Sequence, residues 1–291
     1  MSSPIQRIFV AGAGLMGHGI AQIHAAIGTD VVLYEPDIAR AEAGRDRVAG
    51  NLDRAVAKGK MDQETRDAVL ARITPTADLA AAGAADLVVE AVFEDLAVKQ
   101  ELWRDLDRLA PPGAIFASNT SSIAIHRLAE AVAVPRRARF LGMHFFSPVP
   151  VMPLVELIRG QATADDIVET IRELSIVLGK QVIVSADRPG FIVNRILMPF
   201  IAEAMHAYEQ GIGTAEDIDT GARVGLSHPM GPLELADFIG LDVCLQVMRV
   251  LEDGLGLDYM RPPRSLQELV AAGHLGQKTG RGFYTYPRDP R

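Results

Sequence analysis

The sequence predicts an α/β domain that carries a helical hairpin insertion and is followed by an all-α domain. Two patterns and a length argue for it. Short apolar runs alternate with helical periodicity up to about Ala186, and from "DRPGFIVNRILMPFIAEAM" onward strand signals give way to helical ones. At 291 residues the chain is also near the length at which one core tends to split into two. The boundary is therefore set near Asp187, giving domains 1–186 and 187–291.

"RIFVAGAG" reads as a short buried strand that stops at Gly12, and "LMGHGIAQIHAAIG" as a helix ended by Gly28. "DVVLYEPD" is a second strand. The stretch "VAGAGLMGHGIA" holds four glycines in twelve residues. With 26 glycines in the chain, the G-x-G-x-x-G spacing arises by chance about 0.2 times, so the bare pattern is weak. Its context is a complete βαβ unit, which is what a dinucleotide-binding turn requires.

In such a Rossmann-type unit Gly12 permits the tight turn, Gly14 lets the backbone approach a pyrophosphate and Gly17 packs helix on strand. The helix then turns its unbonded N–H groups toward the anion, with Leu15 and Met16 among the cofactor contacts. Glu35, the first acid after the second strand, is placed to accept hydrogen bonds from the adenosine ribose. Its charge repels a 2′-phosphate, and Pro36 stands where an arginine would have compensated. NAD is expected over NADP.

Two charged amphipathic helices follow, over 37–60 and 62–72, longer than a minimal crossover needs. Lys58 and Lys60 lie at their hairpin and either oppose a helix dipole or bind phosphate. Further strands are read at "DLVVEAV", "AIFASNT", "RFLGMHFF", "PLVELI" and "QVIVS", with helices over 95–110 and 164–179.

A net charge of −8 argues against nucleic-acid or anionic-membrane partners, which such a chain would not attract over long range. The start, "MSSPIQRIFVAGAG", reads as a strand rather than a signal peptide. The longest uncharged apolar stretch, Leu141 to Val155, holds three prolines and suits no membrane helix. Lone Cys244 cannot form an internal disulfide, which fits a reducing cytoplasm.

His144 ends an apolar strand, and strand carboxyl ends face the ligand crevice in open α/β sheets. Glu156 is a carboxylate inside an apolar strand, a costly position unless a partner satisfies it. If Glu156 bonds one imidazole nitrogen, the other can exchange a proton with substrate; the competing reading is a structural pair. "FASNTSS" offers Asn119, Thr120, Ser121 and Ser122 at another strand end, as helix caps or as substrate contacts. Asn194 lies in an apolar helical run, facing either inward or out. His24, His126 and His206 read as helix-surface residues without a role. No H-x-x-x-H, C-x-x-C or acidic cluster suggests a metal.

The segments "GAGLMGHGIA", "FASNTSS", "GMHFFSPVPVMPLVE", "RPGFIVNRIL", "HPMGPLELADFIGLD" and "KTGRGFYTY" together resemble the L-3-hydroxyacyl-CoA dehydrogenase family, its short stand-alone 3-hydroxybutyryl-CoA type above all. The resemblance implies that His144 is the catalytic acid/base, Glu156 its orienting partner, and Ser121 and Asn194 groups at the substrate oxygen. It implies that Glu94, Lys99 and Lys278 help hold NAD, with Ser121 also on the cofactor side, and that Asn51 and Lys58 of the hairpin meet coenzyme A. Ser147 replaces the family's usual asparagine near nicotinamide, and Asn51 replaces a common serine. The activity implied is interconversion of 3-hydroxyacyl-CoA and 3-oxoacyl-CoA by a homodimer joined through the helical domain. A sugar-acid dehydrogenase of gulonate type and a non-catalytic NAD-binding protein are the alternatives.

Overall fold

A computed structural model describes residues 5–287; the outermost residues of both expected domains, including the first four of the segment read as a strand rather than a signal peptide, lie outside the described residues. The chain divides into two compact units, Met1–Arg188 and Pro189–Arg291.

The first unit is built on one eight-stranded sheet in the order β3-β2-β1-β4-β5-β6-β7-β8. β1 (Arg7–Ala11), β4 (Leu87–Glu90) and β5 (Ile115–Ser118) occupy its middle and are almost wholly buried. Strands covered on both faces read as continuous apolar runs, which is how these were legible. Pairing is parallel except between β6 (Phe140–Phe145) and β7 (Leu154–Arg159), which run antiparallel. β8 (Gln181–Ala186) then pairs parallel to β7. β2 (Asp30–Tyr34) pairs with β3 (Ile73–Thr76), an edge strand that the sequence reading missed. Pro75 and two threonines leave β3 little apolar signal.

Helix α1 (Gly17–Ala26) follows β1, and the hairpin forms as α2 (Ile38–Ala57) and α3 (Gln63–Ala71). Asp37 and Asp62 cap these helices by accepting backbone N–H groups of Ala39 and Thr65. α4 (Leu96–Leu109) and α7 (Asp165–Val177) occupy the expected stretches, and two short helices, α5 (Ile125–Ala129) and α6 (Val134–Arg137), were not expected. The hairpin packs on α1, which corrects the reading of His24. That residue is fully buried, because α1 has a helical layer on the side that would otherwise meet water. His24 Nδ1 bonds Ile20 O at 2.8 Å, and burial pulls its pKa down to about 4. It is neutral at physiological pH.

The second unit is helical: α8 (Val193–Glu209), α9 (Ala215–Thr220), α10 (Pro232–Ile239), α11 (Leu241–Leu255) and α12 (Arg264–Ala271). Met198, Ile201, Leu233, Cys244 and Leu251 are part of its core. Asp219 and Asp237 are buried beside that core. Asp219 accepts the N–H groups of Leu233 and Glu234 and the Tyr284 hydroxyl. Asp237 accepts those of Phe283 and Tyr284 and the Tyr286 hydroxyl, tying "GFYTY" to the helices. Among the described residues no helix is long and apolar enough to cross a membrane.

Candidate active site

The glycine turn has three different reasons for its three glycines. Gly12 adopts φ +102°, where a Cβ would also lie 2.5 Å from Ala91 O. A Cβ on Gly17 would fall 1.7 Å from Gly12 O, so α1 can approach β1 only with glycine there. Among the described residues nothing lies within 4 Å of the same position on Gly14, leaving its outer side open. The N-terminus of α1 has no side-chain cap and no acidic residue in its first turn. An open glycine before an uncapped positive helix end fits a dinucleotide pyrophosphate. Leu15 is exposed and Met16 half-buried at this turn. Glu35 is half-buried and accepts the Ala13 N–H at 2.8 Å, so the carboxylate expected at the ribose is braced by the glycine turn itself.

His144 and Glu156 are direct cross-strand partners in the antiparallel β6/β7 pair. Residues opposite each other in such a pair present their side chains to the same face. His144 Nδ1 lies 3.1 Å from Glu156 Oε2, and both side chains are buried. An ionised carboxylate only accepts, so Nδ1 is the donor and the imidazole tautomer is fixed.

A second charged cluster forms at the ends of β4 and β5. Glu90, fully buried at the end of β4, accepts Ser118 Oγ–H at 2.6 Å, Val92 N–H at 2.9 Å and Lys99 Nζ at 2.5 Å. Lys99 is itself buried and lies 3.2 Å from Glu94 Oε2. Glu94 Oε1 accepts Thr120 Oγ1–H at 2.6 Å and the N–H groups of Ser121 and Ser122 at 2.9 and 3.1 Å. Burial alone would raise the Glu94 pKa, but the Lys99 charge and these hydrogen bonds hold it below the ordinary value. Lys99 therefore reaches the Ser121 turn through Glu94. Thr120 Oγ1 accepts the Ile123 N–H, so one hydroxyl of "FASNTSS" does serve the turn. Asn119 Oδ1 accepts the Phe145 N–H, fastening this turn to the end of β6. Glu90 was missed, although a carboxylate in the apolar run "DLVVEAV" is the same signal that singled out Glu156.

Ser147 is exposed just beyond β6. Asn51 donates to Gln22 Oε1 of α1 at 2.9 Å, and Lys58 is exposed at the C-cap of α2. In the second unit Asn194 is buried near the start of α8, and Lys278 Nζ pairs with Asp242 at 2.5 Å. His126 is half-exposed and pairs with the buried carboxylate of Asp187 at 2.7 Å. Half-exposed His206 lies 3.5 Å from Glu209. Among the described residues no group of three or more His, Cys, Asp or Glu is placed to hold a metal ion.

A glycine turn shaped for a dinucleotide and a buried histidine–carboxylate pair at a strand end are the parts of an NAD-dependent dehydrogenase. Family comparison makes the class specific. Residues 7–188 match the model for the 3-hydroxyacyl-CoA dehydrogenase NAD binding domain, and residues 190–286 match the C-terminal domain of the same family. The chain belongs to the 3-hydroxyacyl-CoA dehydrogenase family. It is 48% identical over 286 residues to a 3-hydroxybutyryl-CoA dehydrogenase of Bradyrhizobium diazoefficiens, covering 98% of this chain and 97% of that one. It is 46% identical over 288 residues to a 3-hydroxybutyryl-CoA dehydrogenase of Mycobacterium tuberculosis, covering 98% of this chain and all of the relative. The crystal structure of an (S)-3-hydroxybutyryl-CoA dehydrogenase from Ralstonia eutropha superposes with a TM-score of 0.94 at 44% identity, covering 98% of this chain and 100% of that one.

Proposed function

We propose that this chain interconverts (S)-3-hydroxyacyl-CoA and 3-oxoacyl-CoA, with short substrates such as 3-hydroxybutyryl-CoA and acetoacetyl-CoA. The observation that carries the reading is the buried His144–Glu156 pair, placed by sheet register at the end of β6. Bound NAD supplies the hydride acceptor for the carbinol carbon. With Nδ1 committed to Glu156, His144 takes the hydroxyl proton through Nε2, and Glu156 favours the imidazolium that results. In the reductive direction His144 returns that proton to the 3-oxo oxygen. Ser121, on the turn gathered by Glu94, and Asn194, on the second unit, are assigned to that oxygen. Gly12, Gly14, Leu15, Met16, Gly17, Glu35, Glu94, Lys99, Ser121, Ser147 and Lys278 are assigned to NAD, and Asn51 and Lys58 to the coenzyme A moiety.

A homodimer and a reducing, cytoplasmic setting complete the reading. Exposed Ile196, Ile212, Val224, Leu226 and Phe238 of the helical unit support the first, and buried, unpaired Cys244 supports the second. NADH oxidation at 340 nm with acetoacetyl-CoA, beside free acetoacetate and NADPH, tests the activity. Turnover with the thioester and NADH is expected, and His144→Gln should lower it about 10²–10⁴-fold while NADH still binds. Activity on free hydroxy acids with none on thioesters overturns the reading.

A further inference from the structure

Lys180 is almost fully buried, yet among the described residues no carboxylate pairs with it. A buried cation without an anion is costly, and burial holds the Lys180 pKa below the ordinary lysine value. What it does instead is grip backbone. Its Nζ donates to Val149 O at 2.6 Å and Met152 O at 2.8 Å. The next residue, Gln181, donates its N–H to Pro153 O at 2.7 Å. Three carbonyls of the β6–β7 connection are thus fastened to the start of β8.

The same connection is pressed from its other side. A Cβ on Gly19 of α1 would lie 2.9 Å from Val149 Cβ and 3.4 Å from Pro150 Cδ, so the helix that begins at the glycine turn lies directly against it. His24, also on α1, is close enough for the Lys180 charge to contribute to its lowered pKa. Segment 147–153 is therefore held between α1 and Lys180. It begins three residues after His144, just beyond β6, with Ser147.

We propose that Lys180 is a positioning residue for the nicotinamide end of the cofactor site. Hydride transfer requires the nicotinamide beside the carbon whose oxygen His144 serves, so the segment leaving β6 borders that ring and not the adenosine. Lys180 sets the segment's position without touching cofactor or substrate. The inference rests on His144 as acid/base, but its test does not need turnover.

Lys180→Met and the milder Lys180→Gln are compared with the unaltered enzyme by fluorescence titration with NADH and calorimetric titration with ADP-ribose, which lacks the nicotinamide. About a tenfold rise in the NADH Kd with the ADP-ribose Kd unchanged is expected, the scale of one lost charge-assisted contact. Gly19→Ala, which displaces the same segment from the α1 side, should give the same split. Equal weakening of both ligands overturns the proposal, as does a lowered unfolding temperature with both Kd values intact. If Lys180→Met does not fold, Lys180→Gln and Gly19→Ala decide by the same criterion. Absence of turnover with acetoacetyl-CoA in the unaltered enzyme counts against the proposed activity alone.

Discussion

Glu94 in the first unit and Asp237 in the second are both enclosed carboxylates with several donors, yet their pKa values move in opposite directions. Burial is the largest influence on each and pushes both upward. At Asp237 the N–H groups of Tyr284 and Phe283 and the Tyr286 hydroxyl do not overcome it, and the charge of Asp219 adds to it. At Glu94 the Lys99 charge and the hydrogen bonds together prevail. A cation, more than the number of donors, decides the sign. The cation is found where two carboxylates and the "FASNTSS" turn converge at the strand ends, and is missing where a carboxylate fastens chain to helix.

The largest effect should come from removing that cation. Lys99→Met leaves Glu90 and Glu94 uncompensated and should destabilise the first unit by about 3–5 kcal/mol at neutral pH. The loss should shrink in acid as Glu94 protonates, and urea unfolding across pH measures both. In the unaltered protein Glu94 contributes stability above its ordinary value of 4.5, lost as pH falls through the lower folded value. Asp237 has the opposite sign. Its contribution is fully present below 3.8 and is lost as pH rises through the raised folded value.

Glu156→Gln sharpens the contrast on the side of chemistry. The amide can still accept from Nδ1 but no longer favours the imidazolium, so kcat should fall about 10²-fold with a nearly unchanged unfolding midpoint. Asp237→Asn should do the reverse. It puts an amide NH2 where an oxygen accepted from the "GFYTY" segment and leaves a buried donor unpaired, at a cost of about 1–3 kcal/mol, with turnover per folded molecule unaltered. Gly14→Ala is the smallest. Among the described residues nothing lies within 4 Å of the added methyl, so stability should hold while the NADH Kd rises about three- to tenfold in a fluorescence titration.

Much of this was legible because buried parallel strands and a glycine turn leave local signals. The sequence paired His144 with Glu156 because each was an expensive side chain in an apolar run, and the sheet sets them opposite one another. β3 was not legible, since an edge strand needs few apolar residues. His24 was misread because helix periodicity reports one buried face, and the second comes from a hairpin distant in sequence. Lys180 gave no signal at all. A lysine after glycine at a helix end is ordinary, and only the approach of the β6–β7 connection makes it a buried cation. The contacts assigned to Asn51, Lys58 and Lys278 came from resemblance, because polar residues outside the core carry no periodic trace of what they meet.

The register of β6 and β7 also separates two kinds of evolutionary freedom. His144 and Glu156 face each other through the strand ladder, so the span between them can gain residues without changing their distance. A one-residue slip in β7 would instead turn Glu156 to the opposite face and end the partnership. Changes in the length of the connection thus leave the pair's distance alone, and a lineage can remodel the segment beyond β6 while inheriting the buried histidine–carboxylate pair intact.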